Sequence, residues 1–144
     1  MDKVIVAYWS QTGNTEEMAN ALGKGIEQAG KSAEVAEISR VSLEDLKACA
    51  AFALGCPSMG DEVLEEGEME PFVSEVEKFC GGKSIALFGS YGWGDGQWMR
   101  DWVDRMKAAG ANIVNGEGLI TEGSPDASTV EDCIKLGSVL AQLS

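Results

Sequence analysis

Three short segments of the sequence combine glycine with side chains that suit ligand binding. They are SQTGNT at residues 10–15, CPSMGDE at 56–62 and SYGWGDGQW at 90–98. They offer hydroxyl, amide and backbone N–H donors together with Met59 and Trp93, whose side chains suit contact with a flat ring. The chain contains no histidine, so the usual general base near neutral pH is missing and a hydrolase is disfavoured. These segments therefore predict binding of an anion and a flat ring.

The segment SQTGNT follows an apolar run and precedes a helical pattern, the place where many folds hold a phosphate. Backbone N–H groups and the helix dipole would attract an anion there, while Ser10 and Thr12 add donors and Gly13 permits close approach. The segment has no lysine or arginine, so it matches neither a P-loop nor the G-x-G-x-x-G of dinucleotide folds. The alternative is a polar loop that caps its own helix, with Asn14 or Thr15 as the cap.

The segment SYGWGDGQW places Trp93 between Gly92 and Gly94. The glycines give the indole no neighbouring side chains to pack against, so we expect an exposed stacking surface. Trp102 differs because it lies on the apolar stripe of a helical pattern, which predicts burial in the core.

The segment at 56–62 leads into the most acidic part of the chain. Gly60 and Asp61 favour a turn in which the glycine adopts a positive φ. Six of the ten residues from Asp61 to Glu70 are acidic. The alternative for that run is a solvated loop and helix start, where carboxylates favour the positive end of the helix.

The composition limits the partners that this chain can bind. Twenty-four acidic and eleven basic side chains give a net charge of −13, so nucleic acid and anionic membranes would be repelled, whereas a protein with a basic face would be attracted. The alternative is that the acidity only provides solubility. No apolar stretch is long enough for a membrane span and no signal-peptide pattern is present, so we expect a cytoplasmic protein. We also expect a monomer.

The cysteines are scattered, without a C-x-x-C pair, and we expect reduced, buried thiols rather than a metal site. They are Cys49, Cys56, Cys80 and Cys133.

Strand patterns alternate with helical patterns along the whole chain. The predicted strands are 4–9, 33–38 (at an edge of the sheet), 50–55, 84–89 and a fifth strand in two pieces at 111–114 and 118–120. The predicted helices are 16–29 ended by Gly30, 43–48, 71–79 opened by Pro71, 97–110, and a last helix capped by Ser124 with Pro125 at its first position. This alternation predicts an α/β fold with a doubly wound parallel sheet, on which ligands bind beyond the carboxyl ends of the strands.

The order and spacing of SQTGNT after the first strand, MGDE after the third and GSYGWGDG after the fourth resemble the short-chain flavodoxins, which are small FMN-binding electron carriers. The likeness covers essentially the whole chain. It implies a flavodoxin-like five-stranded sheet of order 2-1-3-4-5 with helices on both faces. It also implies a single FMN-binding domain over residues 1–144.

The resemblance implies how FMN would be held. Residues 10–15 would wrap the phosphate, Trp93 and Met59 would cover the two faces of the isoalloxazine ring, and Glu62 would accept a hydrogen bond from ring N3–H. Trp9 would pack near the ribityl chain or serve as a core residue. The implied cofactor-binding residues are Ser10, Gln11, Thr12, Gly13, Asn14, Thr15, Ser58, Met59, Gly60, Asp61, Glu62, Ser90, Tyr91, Gly92, Trp93, Gly94, Asp95 and Gly96; no catalytic or metal-binding residue is implied.

The implied activity is low-potential one-electron transfer, with FMN shuttling between semiquinone and hydroquinone. The Gly60–Asp61 peptide would flip so that its carbonyl accepts the N5 hydrogen of the neutral semiquinone. Surrounding acids would disfavour the anionic hydroquinone and lower the second potential. The implied partners are a reductase, ferredoxin-accepting enzymes or a hydrogenase with a basic docking face.

Three alternatives remain open from the sequence. A quinone or nitro reductase of the same fold would need room for a substrate beside the flavin. A response-regulator receiver domain would need paired acids after the first strand and a lysine after the fifth, which are missing here. A binding module could keep the fold without taking up flavin.

Overall fold

The computed structural model describes residues 3–60 and 63–144, in which strands and helices alternate. The strands are β1 (Lys3–Tyr8), β2 (Ser32–Glu37), β3 (Ala51–Gly55), β4 (Ser84–Tyr91), β5 (Asn112–Ile113) and β6 (Leu119–Glu122). The α-helices are α1 (Asn14–Gln28), α2 (Leu43–Ala48), α3 (Met69–Glu77), α4 (Gln97–Ala108) and α5 (Ala127–Leu143), with short 3-10 turns at Ile38–Arg40 and Val114–Gly116. Within the described residues, every helix is too short or too polar to cross a membrane.

The strands pair in parallel in the order β2-β1-β3-β4-β5, with β6 also paired to β4. The two last strands share one edge of β4, because β5 pairs with Ser84 and Ile85 whereas β6 pairs with β4 from Phe88 onwards. The chain turns between them at Asn115, whose φ is 64°. The predicted sheet, its order, the edge position of β2 and the divided fifth strand are all confirmed.

The core lies on both faces of the sheet. On one face, α1 buries Met18, Leu22 and Ile26 against the sheet, and α5 packs beside it. On the other face, α3 and α4 pack with α2, and Trp102 is buried there as predicted. Because the strands are covered on both sides, they read as continuous apolar runs rather than alternating patterns.

Helices α1 and α5 pack closely because each presents a glycine to the other. A Cβ atom on Gly25 would overlap the carbonyl oxygen of Ile134, and one on Gly137 would overlap that of Leu22. This close packing fixes where α5, and the loop before it, stand relative to the start of α1.

Two helix starts differ from the prediction. Helix α3 begins at Met69, so Pro71 lies within its first turn instead of opening it. Proline is tolerated there because the first-turn N–H groups need no intrahelical acceptor.

The prediction that Ser124 caps the last helix is wrong. Helix α5 begins at Ala127, and its cap is Asp126, whose carboxylate accepts a 2.8 Å hydrogen bond from the Thr129 N–H. Both residue types are good caps, and the sequence alone did not rank them.

The cysteines are all unpaired. Cys56, Cys80 and Cys133 are buried, as predicted, whereas Cys49 is half-buried. Burial raises the pKa of the Cys56 thiol and that of the Cys133 thiol to about 12, so both are held as neutral apolar groups.

Candidate cofactor site

The loops that follow β1, β3 and β4 meet at the carboxyl edge of the sheet and are joined by backbone hydrogen bonds. The Trp9 N–H donates to the Gly55 carbonyl at 3.0 Å, which joins the first loop to the end of β3. The Ser58 N–H donates to the Ser90 carbonyl at 3.0 Å, which joins the second loop to β4. The predicted binding segments are therefore brought together by the sheet itself.

The first loop is held by its own hydroxyl groups. Gly13, with φ of 95°, is the N-cap of α1, and no side chain caps the helix from that position. The Ser10 hydroxyl accepts from the N–H groups of Gly13 at 3.3 Å and Glu16 at 3.4 Å, and Thr12 accepts from the Asn14 N–H at 3.4 Å. The alternative prediction that Asn14 or Thr15 caps the helix is wrong; Ser10 and Thr12 provide the acceptors.

Thr15 fastens the first loop to the third. Its hydroxyl lies 3.3 Å from that of Ser90 and accepts from the Ser90 N–H at 3.4 Å, and both residues are buried. These two predicted site residues therefore bridge the loops through polar atoms that solvent does not reach. Their contact fixes the distance between the start of α1 and the end of β4.

The second loop contains a tight turn that is closed by Met59 and Val63. Their backbone groups exchange two hydrogen bonds of 2.9 Å. Gly60 has φ of 51°, which confirms the predicted positive value. Asp61 and Glu62, both predicted site residues, lie outside the described residues.

The third loop projects its tryptophan into solvent. Trp93 is 60% exposed, which confirms the exposure predicted from the flanking Gly92 and Gly94. Asp95 forms a 2.9 Å ion pair with Arg100 in the first turn of α4. An exposed indole of this size is unusual on a protein surface and is available for stacking.

The base of the third loop is firmly packed. Tyr91 lies against Trp98, with ring centroids 5.6 Å apart and planes tilted by 50°. The buried Trp98 indole N–H donates to the Cys56 carbonyl at 3.2 Å. This contact ties the start of α4 to the second loop and leaves Trp93 exposed above a rigid base.

A cavity of about 150 Å³ opens where these loops meet. Ten described residues line it, and all ten are uncharged: Gln11, Thr12, Asn14, Pro57, Ser58, Met59, Ser90, Tyr91, Gly92 and Gly123. A larger depression of about 420 Å³ lies between α4 and residues 116–120 and shares only Gly96 with the three described loops. The smaller cavity is the better candidate because side chains from all three binding segments converge on it.

A fourth loop also reaches this cavity, and the sequence analysis missed it. Gly123 lines the cavity, its N–H donates to the Tyr91 carbonyl at 2.8 Å, and the Ser124 hydroxyl donates to the Asn14 side-chain oxygen at 3.2 Å. Pro57 in the lining was also absent from the predicted set. The available signal was topological, since the residues after a fifth parallel strand must lie at the same edge as the other three loops.

Trp9 packs partly against the core and donates its indole N–H to Oε1 of Glu68 at 3.1 Å. This contact supports the core interpretation of Trp9. Its predicted place beside the ribityl chain stays a prediction.

Besides Cys56, the groups Tyr8 and Glu65 near the site have shifted pKa values. Burial and the hydrogen bond from Tyr8 to Glu16, 3.1 Å long, raise the pKa of the Tyr8 phenol to about 12. Burial alone would raise the pKa of Glu65, but the N–H groups of residues 67, 68 and 69 donate to its carboxylate at 2.7–2.9 Å and lower the pKa overall. Tyr8 therefore stays protonated and Glu65 stays ionised near neutral pH.

The first loop fits a phosphate group by the chemistry of its donors. Among the described residues, no acceptor is paired with the backbone N–H groups of Gln11, Thr12 and Thr15. The loop hydroxyls bind its other N–H groups only at 3.3–3.4 Å, at the long end for hydrogen bonds. A phosphate at the start of α1 would find unpaired donors and the positive end of the helix dipole.

Comparison with known proteins agrees with this geometry. The family model described as Flavodoxin matches residues 6–137. The flavodoxin of Clostridium beijerinckii is 46% identical over 138 residues, covering 96% of this chain and 99% of that protein. The flavodoxin of Megasphaera elsdenii is 38% identical over 139 residues, covering 96% and 98%.

Solved structures give the same result. The solution structure of two-electron reduced Megasphaera elsdenii flavodoxin superposes with a TM-score of 0.85 at 36% identity, covering 96% of this chain and 98% of that one. A flavodoxin from the domain Archaea superposes with a TM-score of 0.86 at 30% identity, covering 97% and 96%. Flavodoxins bind FMN and transfer electrons without turning over a substrate of their own. On its sequence and its sheet order, this chain belongs to the flavodoxin family.

Proposed function

We propose that residues 1–144 form one domain that binds FMN non-covalently between the loops after β1, β3 and β4. In this proposal the protein is a low-potential one-electron carrier that uses the semiquinone and hydroquinone states of FMN. The observation that carries the proposal is the cavity on which all three segments converge and whose described lining residues are uncharged. The bound flavin supplies the redox chemistry, and the protein sets which of its redox states binds best.

The phosphate would be held at residues 10–15 by neutral donors alone. The N–H groups of Gln11, Thr12 and Thr15, which have no acceptor among the described residues, would replace the lysine of a P-loop together with the loop hydroxyls and the α1 dipole. Because no cation stands in this loop, the site gains no positive charge that would favour the reduced flavin.

The ring would lie between Trp93 and Met59. Trp93 already stands exposed above a packed base, and Met59 is held by its two backbone hydrogen bonds to Val63. In this arrangement backbone groups around Gly60 and of the third loop would bond the polar edge of the ring. Ser90 contributes by holding Thr15, and Asp95 by pairing with Arg100. Both aromatic stacking and the exclusion of water disfavour an added negative charge on the ring.

The acidic surroundings would lower the second reduction potential. A carboxylate about 10 Å from the ring costs an added negative charge about 0.4 kcal/mol in water and about 1.7 kcal/mol at an effective dielectric of 20. About 59 mV corresponds to a tenfold change in relative binding for a one-electron couple. Several carboxylates together therefore account for a decrease on the order of 100 mV.

The same acidity would select the partners. With a net charge of −13, the exposed edge of the site would dock transiently on basic faces of a reductase or of enzymes that also accept electrons from ferredoxin. We propose that the protein does this as a cytoplasmic monomer. Electron-transfer rates with such a partner should fall as ionic strength rises; rates that stay constant with salt would contradict charge-guided docking.

Titration of the flavin-free protein with FMN tests the proposal. We expect one FMN per chain, with flavin fluorescence quenched by the indole at position 93. Trp93→Ala should weaken binding by about 1–3 kcal/mol, the usual contribution of an aromatic ring that stacks on a base. Failure of the folded protein to bind FMN would refute the proposal.

A further inference from the structure

We propose that Ser124 is a positioning residue for the FMN phosphate, and that it acts by fixing the side-chain amide of Asn14. This inference rests on the proposed function, because it concerns how the same site holds the cofactor. Ser124 was expected to cap α5, but Asp126 does so, and the Ser124 hydroxyl is directed elsewhere.

The loop that carries Ser124 is held at both ends by contacts that do not involve the serine. On one side, the Gly123 N–H donates to the Tyr91 carbonyl at 2.8 Å, at the end of the β4–β6 pairing. On the other side, Asp126 caps α5 through its 2.8 Å bond from Thr129. The position of Ser124 is therefore set by the sheet and by α5, so that removing its hydroxyl leaves the loop in place.

The Ser124 hydroxyl donates to Oδ1 of Asn14 at 3.2 Å, across 110 residues of sequence. Asn14 is the first residue of α1 and lines the candidate cavity, whereas Ser124 is exposed and is not among the residues that line it. A side-chain amide has one oxygen acceptor and one NH₂ donor. Because Ser124 engages the oxygen, the group that Asn14 retains for a ligand is its NH₂.

This orientation is the one that an anion requires. With the amide reversed, the oxygen of Asn14 would be the atom left for the ligand, and it would repel a phosphate at a site that has no cation in its loop. A neutral loop depends on the direction of each of its dipoles more than a loop with a lysine does. A cation in the loop would attract the phosphate whatever the direction of the Asn14 amide. Because this loop has none, Ser124 contributes by holding that amide in the favourable direction before the phosphate binds.

The experiment compares FMN with riboflavin, which carries the same ring and ribityl chain without the phosphate. Dissociation constants for both are measured on the full flavin-free chain by flavin fluorescence. Ser124→Ala should weaken FMN binding about 2–10-fold, the usual range for one neutral hydrogen bond, while riboflavin binding changes less than about 2-fold. Ser124→Thr retains the hydroxyl and should restore FMN binding. Ser128→Ala, at an exposed serine in the first turn of α5, is the matched control and should leave both constants unchanged.

The outcomes separate this inference from the proposed function. Circular dichroism identifies any variant that fails to fold, and such a variant is excluded from the comparison. Suppose that the unmodified chain binds FMN. If Ser124→Ala then binds FMN equally well, or if its affinities for FMN and riboflavin fall by the same factor, the inference is overturned and the proposed function stands. If the unmodified chain binds no FMN, the proposed function itself fails. As a second measurement on the unmodified chain, the side-chain NH₂ resonances of Asn14 should shift with FMN and much less with riboflavin; equal shifts would also overturn the inference.

Discussion

The indole N–H of Trp9 donates a 3.1 Å hydrogen bond to Oε1 of Glu68, and this contact joins the end of β1 to the residue that precedes α3. The segment between β3 and α3 contains the Met59–Val63 turn, and the contact anchors the end of that segment next to α3. Glu65 secures the same region, since its carboxylate accepts from the N–H groups of Gly67, Glu68 and Met69. Glu65 and Glu68 therefore have structural roles, although the acidic run to which they belong could have been only a solvated loop.

The Trp9–Glu68 contact should be visible in the free energy of unfolding. Glu68→Gln keeps an oxygen acceptor for the indole, whereas Glu68→Ala removes it, so Ala should be less stable than Gln by about 0.5–1 kcal/mol. Urea denaturation of both variants measures this difference. In a Trp9→Phe background the two should become equal, and a difference that persists there would assign the effect to something other than this hydrogen bond.

The backbone of Gly60 should control how the bound flavin accepts its first electron. Apart from its chain neighbours, a Cβ at position 60 would meet no atom of the described residues within 4 Å, so Gly60→Ala acts chiefly through its φ of 51°, at a cost on the order of 1–2 kcal/mol. The expected flip of the Gly60–Asp61 peptide, which would stabilise the half-reduced flavin, is opposed by this strain. The half-reduced flavin should therefore accumulate less during reduction, and the visible spectrum measures its amount. Gly30→Ala is the matched control, since Gly30 has φ of 92°, equally open space and a position beyond α1; if both variants behave alike, the turn has no special role.

Glu65 should make the stability of the protein depend on pH in the acid range. Its pKa in the folded chain lies below its ordinary value of 4.5, so its contribution is complete above that value and is lost as the pH falls through the folded pKa. Glu65→Gln should cost about 1 kcal/mol near neutral pH, as for other helix-end caps, and the cost should shrink below pH about 4. Denaturation between pH 3 and 7 tests this; the exposed neighbour Glu66, changed to Gln, should show no such pattern.

The thiols should react in the order of their exposure. Cys56, whose pKa burial raises to about 12, donates to the Pro57 carbonyl at 3.4 Å, whereas Cys49 is half-buried. At pH 8, iodoacetamide should modify Cys49 first, and Cys56 only after unfolding, because the thiolate is the reactive form. Mass spectrometry of peptides identifies the site, and modification of Cys56 at the rate of Cys49 in the folded protein would show that the second loop opens readily.

Local patterns predicted most of the fold and which loops lie together at the carboxyl edge of the sheet. The run 4–9 predicted a doubly covered strand because parallel strands in such sheets are apolar throughout, and Trp93 was predicted to be exposed because glycines flank it. The long-range side-chain contacts near the candidate site are of another kind. Trp9 meets Glu68 across 59 residues and Ser124 meets Asn14 across 110, and such pairs depend on the register of the sheet and on the packing of whole helices.

The choice between Ser124 and Asp126 as a helix cap shows the same limit at short range. Both residue types fit the position in isolation. In the structure helix α5 starts at Ala127 and Asp126 is its cap. The Ser124 hydroxyl is therefore available to contact Asn14.

The most direct test of the central claim is the visible spectrum of the FMN-loaded protein during stepwise anaerobic reduction at known potential. We predict two separate one-electron steps, with a half-reduced flavin that accumulates between them and a second potential well below that of free FMN. A single two-electron step at the potential of free FMN would contradict the claim that these loops hold the flavin and control its charge.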